Sequence, residues 1–310
     1  MAQITNTILM IRPAVFRMNE ETAVNNYFQN SLGQNPDEVI DKAKAEFDAF
    51  VALLRYKGVS VIVVEDDPAL DTPDSIFPNN WISLHSDARV ALYPMFAENR
   101  RRERREEVLQ ALEQEGFVIN DIVDYTEAEQ EGIFLEGTGS MILDRVNHTA
   151  YCALSPRADK DLFLEFCDDF DYYPVVFNAY QTVNQKRAAV YHTNVILCLG
   201  EAFAVICLSC IDDAQERKTV VAQLRADGKE IIDITEEQMH HFAGNMLQVI
   251  GHGGKRLIVM SQSALNSLTM DQKQQLEKHG ELIAARLPTI ETCGGGSARC
   301  MMAEVFLPQA

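Results

Sequence analysis

The length, composition and charge of the chain indicate a globular protein that acts on small molecules. Its 310 residues are 47% hydrophobic and 24% charged, a balance typical of a folded protein with a substantial core and not of a disordered one. Forty-six acidic residues against 27 basic ones give a formal net charge of −19 at pH 7, so nucleic acid and anionic membrane surfaces are poor partners.

The N-terminus and the cysteines favour a cytoplasmic protein. The first six residues lack the basic flank of a signal peptide, and no run approaches the roughly 18 apolar residues of a membrane span. Seven cysteines, an odd number, lie mostly in apolar segments. The one C-x-x-C spacing, Cys207 to Cys210, falls in a strand-like run that is expected to point the two thiols to opposite faces of a sheet. The sequence therefore predicts neither a disulfide framework nor a metal site.

Hydrophobic patterning predicts a chain that mixes helices and strands. Residues 7–16 predict a strand, and the polar segment 19–29 has no clear local pattern. Asn35 is expected to open a helix that runs to about Lys57. Further strands are predicted at 59–66, 81–85, 90–95, 117–125, 139–144, 149–155, 172–180, 194–200, 202–211, 230–234, 245–251, 256–261 and 281–287, and further helices at 104–116, 158–170, 213–228 and 267–280.

These elements repeat as two strands, a helix and a strand. The residues at which each first hairpin begins are spaced by 56, 56, 53 and 55 positions, and they are Asn80, Glu136, His192, Asn245 and Cys300. Such regularity indicates repeated modules that each supply one loop to a shared site. The N-terminal elements are expected to pair with the last strand, 300–308, and so to close a ring. The predicted fold is one α+β domain, residues 1–310, of five pseudo-symmetric ββαβ modules.

A glycine-rich stretch near the C-terminus, residues 291–304, indicates chemistry. Three consecutive glycines let the backbone approach another group closely, and Cys300 follows them. A thiol with its ordinary pKa of about 8.5 needs a neighbouring imidazole or cation to attack at neutral pH. His192 and Glu136 mark two other modules, so we expect Cys300 as nucleophile, His192 as acid and base, and Glu136 as orienting or proton-shuttling carboxylate. The alternative is a structural glycine turn with a buried cysteine.

Four short motifs resemble the guanidino-group-modifying superfamily of the pentein fold, which includes arginine deiminases, dimethylarginine hydrolases and amidinotransferases. The motifs are PDSIFPNN (73–80), LEGTG (135–139), YHTN (191–194) and GGGSARCM (294–301). They occur in the right order and at the common period, and the resemblance covers nearly all of the chain. It implies a five-bladed pseudo-symmetric α/β propeller, and it implies that Cys300 rather than Cys293 is the nucleophile.

Three asparagines depart from the pattern of relatives that bind a cationic guanidinium. Asn79, Asn80 and Asn194 stand where those relatives place carboxylates. A carboxylate facing a neutral group would leave a buried charge uncompensated, whereas an amide offers both a donor and an acceptor to a ureido group. This favours citrulline over arginine. Asp74 is an acidic residue in the same loop. If its carboxylate reaches the reacting end of the substrate, the preference for citrulline is weaker. By analogy with the superfamily, Asp74 could instead bind the α-ammonium group of the substrate or hold the loop.

Two arginine-containing segments are candidates to bind the carboxylate of an amino-acid substrate. Residues 98–103 and 153–159 resemble elements of the superfamily, which makes Arg157 and one of Arg100 or Arg101 candidate clamps. A guanidinium can pair bidentately with a carboxylate. The alternative for residues 100–102 is a solvated arginine run at the start of a helix.

The resemblance is greatest to citrulline-utilising hydrolases. It implies that Cys300 attacks the ureido carbon, that ornithine leaves, and that water converts the carbamoyl thioester to carbon dioxide and ammonia, with no metal or organic cofactor. The partner is then a small amino-acid substrate, and the oligomeric state stays open, a homo-oligomer included. The alternatives are a hydrolase or amidinotransferase acting on arginine or a methylated arginine, and a pentein ring that serves only as a binding module.

Overall fold

The computed structural model describes residues 2–33 and 35–310 and has a mixed α+β fold. Within these residues the strands form five three-stranded sheets and one two-stranded hairpin. The strands are β1 (Thr7–Arg12), β2 (Ser60–Glu65), β3 (Ile82–Leu84), β4 (Arg89–Leu92), β5 (Asp121–Asp124), β6 (Met141–Asp144), β7 (Thr149–Leu154), β8 (Tyr173–Asn178), β9 (Tyr180–Val183), β10 (Lys186–Ala189), β11 (Leu197–Leu199), β12 (Phe203–Ile206), β13 (Glu230–Asp233), β14 (Leu247–Ile250), β15 (Arg256–Ser261), β16 (Glu281–Ala285) and β17 (Ala303–Glu304).

The five sheets share one pairing pattern. In four of them the middle strand pairs antiparallel with the strand before it and parallel with the strand after the intervening helix. In the fifth, β1 pairs parallel with β2 and antiparallel with β17, with Ile8 opposite Glu304. The predicted module and the predicted pairing of the two chain ends are both confirmed.

The helices cover the apolar faces of these sheets. The longest, Pro36–Tyr56, begins as predicted, because the Asn35 side chain accepts a hydrogen bond from the Asp37 N–H. Its buried residues include Phe47 and Phe50, whose burial contributes about 1.5–3 kcal/mol each. The α-helices are α1 (Glu20–Ala23), α2 (Pro36–Tyr56), α3 (Glu106–Gln114), α4 (Gly137–Ser140), α5 (Lys160–Asp169), α6 (Thr193–Ile196), α7 (Ala214–Ala226), α8 (Glu236–His240), α9 (Gln262–Ser267), α10 (Met270–Glu277) and α11 (Pro288–Gly294).

Each marker residue of the sequence period lies in a turn or loop two to five residues before a strand. The five marker residues are Asn80, Glu136, His192, Asn245 and Cys300, and the strands that follow them are β3, β6, β11, β14 and β17. Because the five sheets repeat one pattern, the corresponding loops emerge on equivalent sides of their sheets. The fold thus gathers residues that are more than 200 positions apart in the chain.

Some local predictions were wrong. The first predicted strand, 7–16, ends at Arg12, because Pro13 has no N–H to continue a ladder. The predicted strand 202–211 ends at Ile206, and a 3₁₀ turn follows. Cys207 and Cys210 therefore do not face opposite sides; their Sγ atoms lie 3.2 Å apart. The β9–β10 hairpin and helix α11 were not predicted.

No helix in the described ranges is long and apolar enough to cross a membrane. Within the same residues no group of three or more His, Cys, Asp or Glu side chains has a metal-binding arrangement.

Candidate active site

His192 and Glu136 form a buried hydrogen-bonded pair. His192 Nε2 lies 2.7 Å from Glu136 Oε2, and both side chains are buried. Burial works to raise the pKa of Glu136, but the Arg157 guanidinium and the hydrogen bond with His192 outweigh it and hold that pKa well below its ordinary value. Burial also lowers the pKa of His192 to about 4. At neutral pH an ionised carboxylate therefore accepts from Nε2–H, which leaves Nδ1 of a neutral imidazole with a free lone pair.

Two glycines allow this pair to approach the loop that carries the asparagines. A Cβ added to Gly137, whose φ is +45°, would lie 2.5 Å from the carbonyl oxygen of Asn79. A Cβ on Gly139 would lie 2.5 Å from Asn80 Nδ2 and 2.9 Å from His192 Nδ1. Such distances exclude a side chain, so the Gly-Thr-Gly sequence is required for the loops to converge.

The thiol of Cys300 receives two amide donors. Asn245 Nδ2 lies 3.2 Å and Asn194 Nδ2 lies 3.5 Å from Cys300 Sγ, and the cysteine is buried. Both amide N–H₂ groups are thus placed to donate to the sulfur. The orientation of Asn245 is set because its Oδ1 accepts the Arg299 N–H at 3.0 Å. Sequence reasoning placed Asn245 at the fourth position of the period but did not include it among the site residues.

The two neighbouring asparagines of the substrate loop have different surroundings. Asn80 lines the cavity beside Cys300, but its Oδ1 accepts from Arg100 at 2.7 Å and its Nδ2 donates to Asn79 Oδ1 at 3.0 Å. Asn79 lies behind Asn80, and among the described residues its buried Nδ2 has no partner. Asn80 therefore has only one amide hydrogen left for a ligand, and Asn79 supports Asn80.

The structure separates the three candidate arginines. Arg100 lines the cavity but pairs bidentately with Glu103 at 2.8 and 2.9 Å. Arg157 also lines the cavity and donates to Thr22 O at 2.8 Å, to Asn25 Oδ1 at 2.8 Å and to Glu136 at 3.4 Å. Both guanidinium groups are thus largely occupied by the protein.

Arg101 points away from the cavity. Its Nε donates to Met95 O at 3.1 Å and pairs with Glu129 at 3.4 Å. Of the two neighbouring arginines, Arg100 is therefore the one that the fold brings beside Cys300 and His192.

Asp74 presents an unpaired carboxylate oxygen at the cavity. Its Oδ2 accepts from Asn19 at 2.8 Å and from Thr22 at 3.0 Å, whereas its buried Oδ1 has no hydrogen-bond partner in the described part of the chain. Burial raises the pKa of this carboxyl, although Arg100 opposes the shift. A buried carboxylate oxygen without a donor is costly, so a ligand that brings a positively charged donor would satisfy it.

The polar segment 19–29 lies against the glycine-rich loop. Asn26 donates to the carbonyl oxygens of Gly294 at 3.4 Å and Gly295 at 3.3 Å, and Gln29 donates to Gly294 at 3.0 Å. On the other side Tyr191 donates its hydroxyl to Gly295 at 2.7 Å. No local pattern marks this role, because the partners are more than 100 residues away in the chain.

These residues line one narrow cavity, whose free space of about 10 Å³ holds little more than one water molecule, so an amino-acid ligand would have to displace side chains or loops that line it. The lining residues are Asn26, Asp74, Phe77, Asn80, Arg100, Arg157, Tyr191, His192, Gly294, Gly295, Gly296 and Cys300. The arrangement combines a thiol with amide donors, a neutral imidazole held by a carboxylate, and polar groups of both charges. Such a set can attack an electrophilic carbon and return a proton to the leaving group.

Comparison with known proteins places the chain in a family. A sequence model described as N,N dimethylarginine dimethylhydrolase, eukaryotic, matches residues 12–307. No curated protein is significantly similar in sequence.

Several solved structures share the fold. The unliganded structure of ArgZ, an arginine dihydrolase from the ornithine-ammonia cycle in cyanobacteria, has 18% identity and a TM-score of 0.72 over 98% of the chain. Unliganded AgrE has 17% identity and a TM-score of 0.74, also over 98% of the chain. The chain covers only 41% of ArgZ and 40% of AgrE. A dimethylarginine dimethylaminohydrolase adduct with S-methyl-L-thiocitrulline, at 14% identity and a TM-score of 0.63, matches over 97% of this chain and 99% of its own.

Proposed function

We infer the function from the family to which the chain belongs, the N,N dimethylarginine dimethylhydrolases of the pentein superfamily, whose members modify guanidino groups. The chain is then a hydrolase of carbon–nitrogen bonds that uses a cysteine nucleophile. One observation carries this assignment: the thiol of Cys300, with its two amide donors, lines one cavity together with His192, whose imidazole is paired with Glu136. We assign the whole of residues 1–310 to one five-bladed propeller domain, on the support of the five similar sheets.

The proposed substrate is citrulline. The groups beside the thiol are neutral amides, and the one carboxylate next to His192 already faces two guanidinium groups, Arg157 at 3.4 Å and Arg100 at 3.9 Å. A neutral ureido group fits these surroundings better than a third cation does, since a cation beside His192 would be repelled by both guanidinium groups unless Asp74 paired with it. Asp74 would then pair with the α-ammonium group of the amino acid.

The proposed reaction has two steps. His192 Nδ1 takes the proton of the Cys300 thiol as Sγ adds to the ureido carbon. The C–N bond to the side chain then breaks, and the imidazolium so formed gives that proton to the amine of ornithine as it leaves. A water molecule, deprotonated by His192 Nδ1, then cleaves the carbamoyl thioester and restores the thiol. The carbamate released breaks down to carbon dioxide and ammonia, so citrulline and water yield ornithine, carbon dioxide and ammonia. Glu136 stabilises the imidazolium and fixes the tautomer of the neutral imidazole.

The second candidate substrate is arginine or a methylated arginine. The unpaired Oδ1 of Asp74 favours it, because a guanidinium could donate to that oxygen. ArgZ, which shares the fold, is an arginine dihydrolase. The two candidates therefore differ in which end of the substrate meets Asp74.

Replacing Asp74 with asparagine should separate these candidates. If Asp74 binds the α-ammonium, Asp74→Asn raises the KM for citrulline and for arginine by a similar factor, on the order of 10-fold or more. If it binds the reacting group, the variant impairs arginine turnover selectively. The measurement is steady-state release of ornithine and ammonia from citrulline, arginine and methylated arginines.

The matched control is Asp66→Asn. Asp66 is a buried carboxylate close to the same loop. Its Oδ2 accepts hydrogen bonds from the hydroxyls of Thr72 at 2.9 Å and Ser75 at 2.8 Å, but it does not line the cavity. Its variant should lower the free energy of unfolding and leave the KM values for both substrates unchanged. Turnover of arginine but not of citrulline by the unaltered chain would overturn the citrulline assignment.

The acid side of the pH profile should follow His192. The imidazole must be neutral to accept a proton, and its pKa is lowered to about 4. We expect kcat/KM to fall as the pH drops through about 4, well below the ordinary pKa of about 6.5 for histidine. Because the unfolded chain binds this proton at higher pH than the folded chain, the free energy of unfolding should also rise with pH between about 4 and 6.5. An acid limb in kcat/KM near 6.5 would contradict the assignment.

A further inference from the structure

Three sulfur atoms meet in the protein core outside the catalytic cavity. Cys210 Sγ lies 3.2 Å from Cys207 Sγ and 3.6 Å from Met239 Sδ. All three side chains are fully buried, and both cysteines are free thiols. The proposed hydrolysis uses none of them, so this sulfur cluster, defined as Cys207, Cys210 and Met239, has no role in the chemistry described above.

Regular backbone elements hold the cluster. Strand β12 ends at Ile206, and the 3₁₀ turn Leu208–Cys210 follows. In a 3₁₀ turn, side chains three residues apart lie on the same side, which brings the two thiols together. Met239 comes from helix α8, whose start is fixed by a capping box between Thr235 and Gln238. The sulfur atoms are therefore positioned by the fold before any ligand arrives.

We propose that the sulfur cluster is a binding site for Cu(I). Thiolate and thioether sulfur are soft ligands, which select Cu(I) over harder ions. An ion bonded to three sulfur atoms in one plane, at about 2.3 Å each, needs those atoms roughly 4 Å apart. The Cys207–Cys210 and Cys210–Met239 separations, 3.2 and 3.6 Å, are shorter than that spacing by about 0.8 and 0.4 Å, so rotations of the side chains would move the sulfur atoms apart as the ion binds.

The ligand set distinguishes Cu(I) from zinc. Structural zinc is held by four thiolate, imidazole or carboxylate ligands in a tetrahedron. In the described residues no group of three or more His, Cys, Asp or Glu could hold a metal ion, so the cluster offers only its two thiols to zinc. Cu(I) accepts three ligands and binds thioether sulfur, so Met239 completes its coordination but not that of zinc.

Binding releases two protons. Each thiol loses its proton as its sulfur bonds the ion, so one Cu(I) and two thiols give a complex of net charge −1. The Arg187 guanidinium donates to the carbonyl oxygen of Ser209 in the same turn at 3.4 Å, but it is also paired with Asp212 at 2.6 Å and Glu236 at 2.8 Å, so it offsets only part of the cost of that charge. Ser209 is itself exposed and its hydroxyl lies 3.4 Å from Cys207 Sγ. Opening this single turn would therefore admit the ion.

The test is Cu(I) transfer from the chelator bicinchoninate without oxygen. The parent is the full chain with Cys300→Ser, so that the catalytic thiol does not compete. We expect one Cu(I) per chain to move to the protein. Affinity should fall at least about 100-fold in Cys207→Ser/Cys210→Ser and at least about tenfold in Met239→Leu, since each loses a soft ligand. Two fully buried control variants, Cys152→Ser and Met260→Leu, should bind as the parent does.

X-ray absorption spectroscopy on the copper-loaded parent measures the type, number and distance of the atoms bonded to copper. It needs no substitution within the cluster. We expect only sulfur neighbours, three per copper, at about 2.3 Å. Nitrogen or oxygen neighbours, a failure to take Cu(I) from the chelator, or full affinity in the double cysteine variant would each overturn the proposal. So would formation of a Cys207–Cys210 disulfide with no copper retained.

Discussion

Replacing Cys300 with alanine is expected to abolish hydrolysis, with kcat falling by at least about 10⁴-fold. Alanine removes the atom that forms the covalent intermediate, and neither of the amides that contact it, those of Asn194 and Asn245, can replace a nucleophile. The measurement is ornithine release from the better of the two substrates, followed by mass spectrometry of acid-quenched enzyme. The unaltered chain should carry an adduct on the peptide that contains Cys300.

Cys293→Ala provides the matched control. Cys293 is a buried thiol in helix α11, seven residues before Cys300, and it lines a separate pocket with Arg17 and Pro36. This variant should retain activity. Loss of turnover in Cys293→Ala with full turnover in Cys300→Ala would overturn the choice between the two thiols. Reaction with iodoacetamide tests the same choice without a substrate, since Cys300 should react faster than the other six cysteines.

Replacing Glu136 with glutamine is expected to lower kcat by about 10²–10⁴-fold, with little change in KM. Glutamine matches glutamate in shape but carries no charge. It can no longer stabilise the imidazolium of His192, and it can present its N–H₂ to Nε2 and so impose the wrong tautomer. The pH profile should change too, because an ionised Glu136 raises the pKa of His192 against the lowering effect of burial. The acid limb of kcat/KM should therefore move below that of the unaltered chain.

The control for this variant is Glu129→Gln. Glu129 pairs with Arg104 at 2.7 Å and with Arg101 at 3.4 Å, outside the cavity. Its loss should reduce stability and leave kcat and the pH profile unchanged. Equal effects of the two variants on kcat, with no difference in pH profile, would mean that Glu136 acts only through the stability of the fold.

Much of the fold could be predicted because the period of the sequence is a local property. Hydrophobic runs and turn residues at intervals of 53 to 56 positions reveal the module, and the pairing of β1 with β17 follows once the modules are counted. Element ends were less predictable. The run 202–211 is apolar throughout, so its pattern could not reveal that the strand stops at Ile206 and a turn begins.

The residue types of the candidate site could be predicted from the sequence, but the hydrogen-bonding atoms that remain available to a ligand could not. Position in the period singled out Glu136, His192 and Cys300. In the structure His192 and Cys300 line one cavity, and Glu136 pairs with His192 without lining that cavity. The same period included Asn245, whose amide lies 3.2 Å from the Cys300 thiol. Its position in the period was therefore the signal that could have identified it as a site residue.

The roles of Arg100, Arg101 and Arg157 as carboxylate clamps could not be assessed from the sequence. The sequence could not show that the donors of Arg100 are taken by Glu103 and Asn80, because hydrogen-bond partners depend on side-chain geometry.

By itself the sequence determined the repeat, the acidic charge, and the residue types that can perform nucleophilic chemistry, since all of these follow from order and spacing along the chain. Only the tertiary structure decided which polar groups remain available. Asp74 keeps one oxygen that has no hydrogen-bond partner among the described residues, and the segment 19–29 reaches the glycine loop through Gln29 and Gly294, 265 residues apart. Contacts at such separations arise from packing, and no local pattern encodes them.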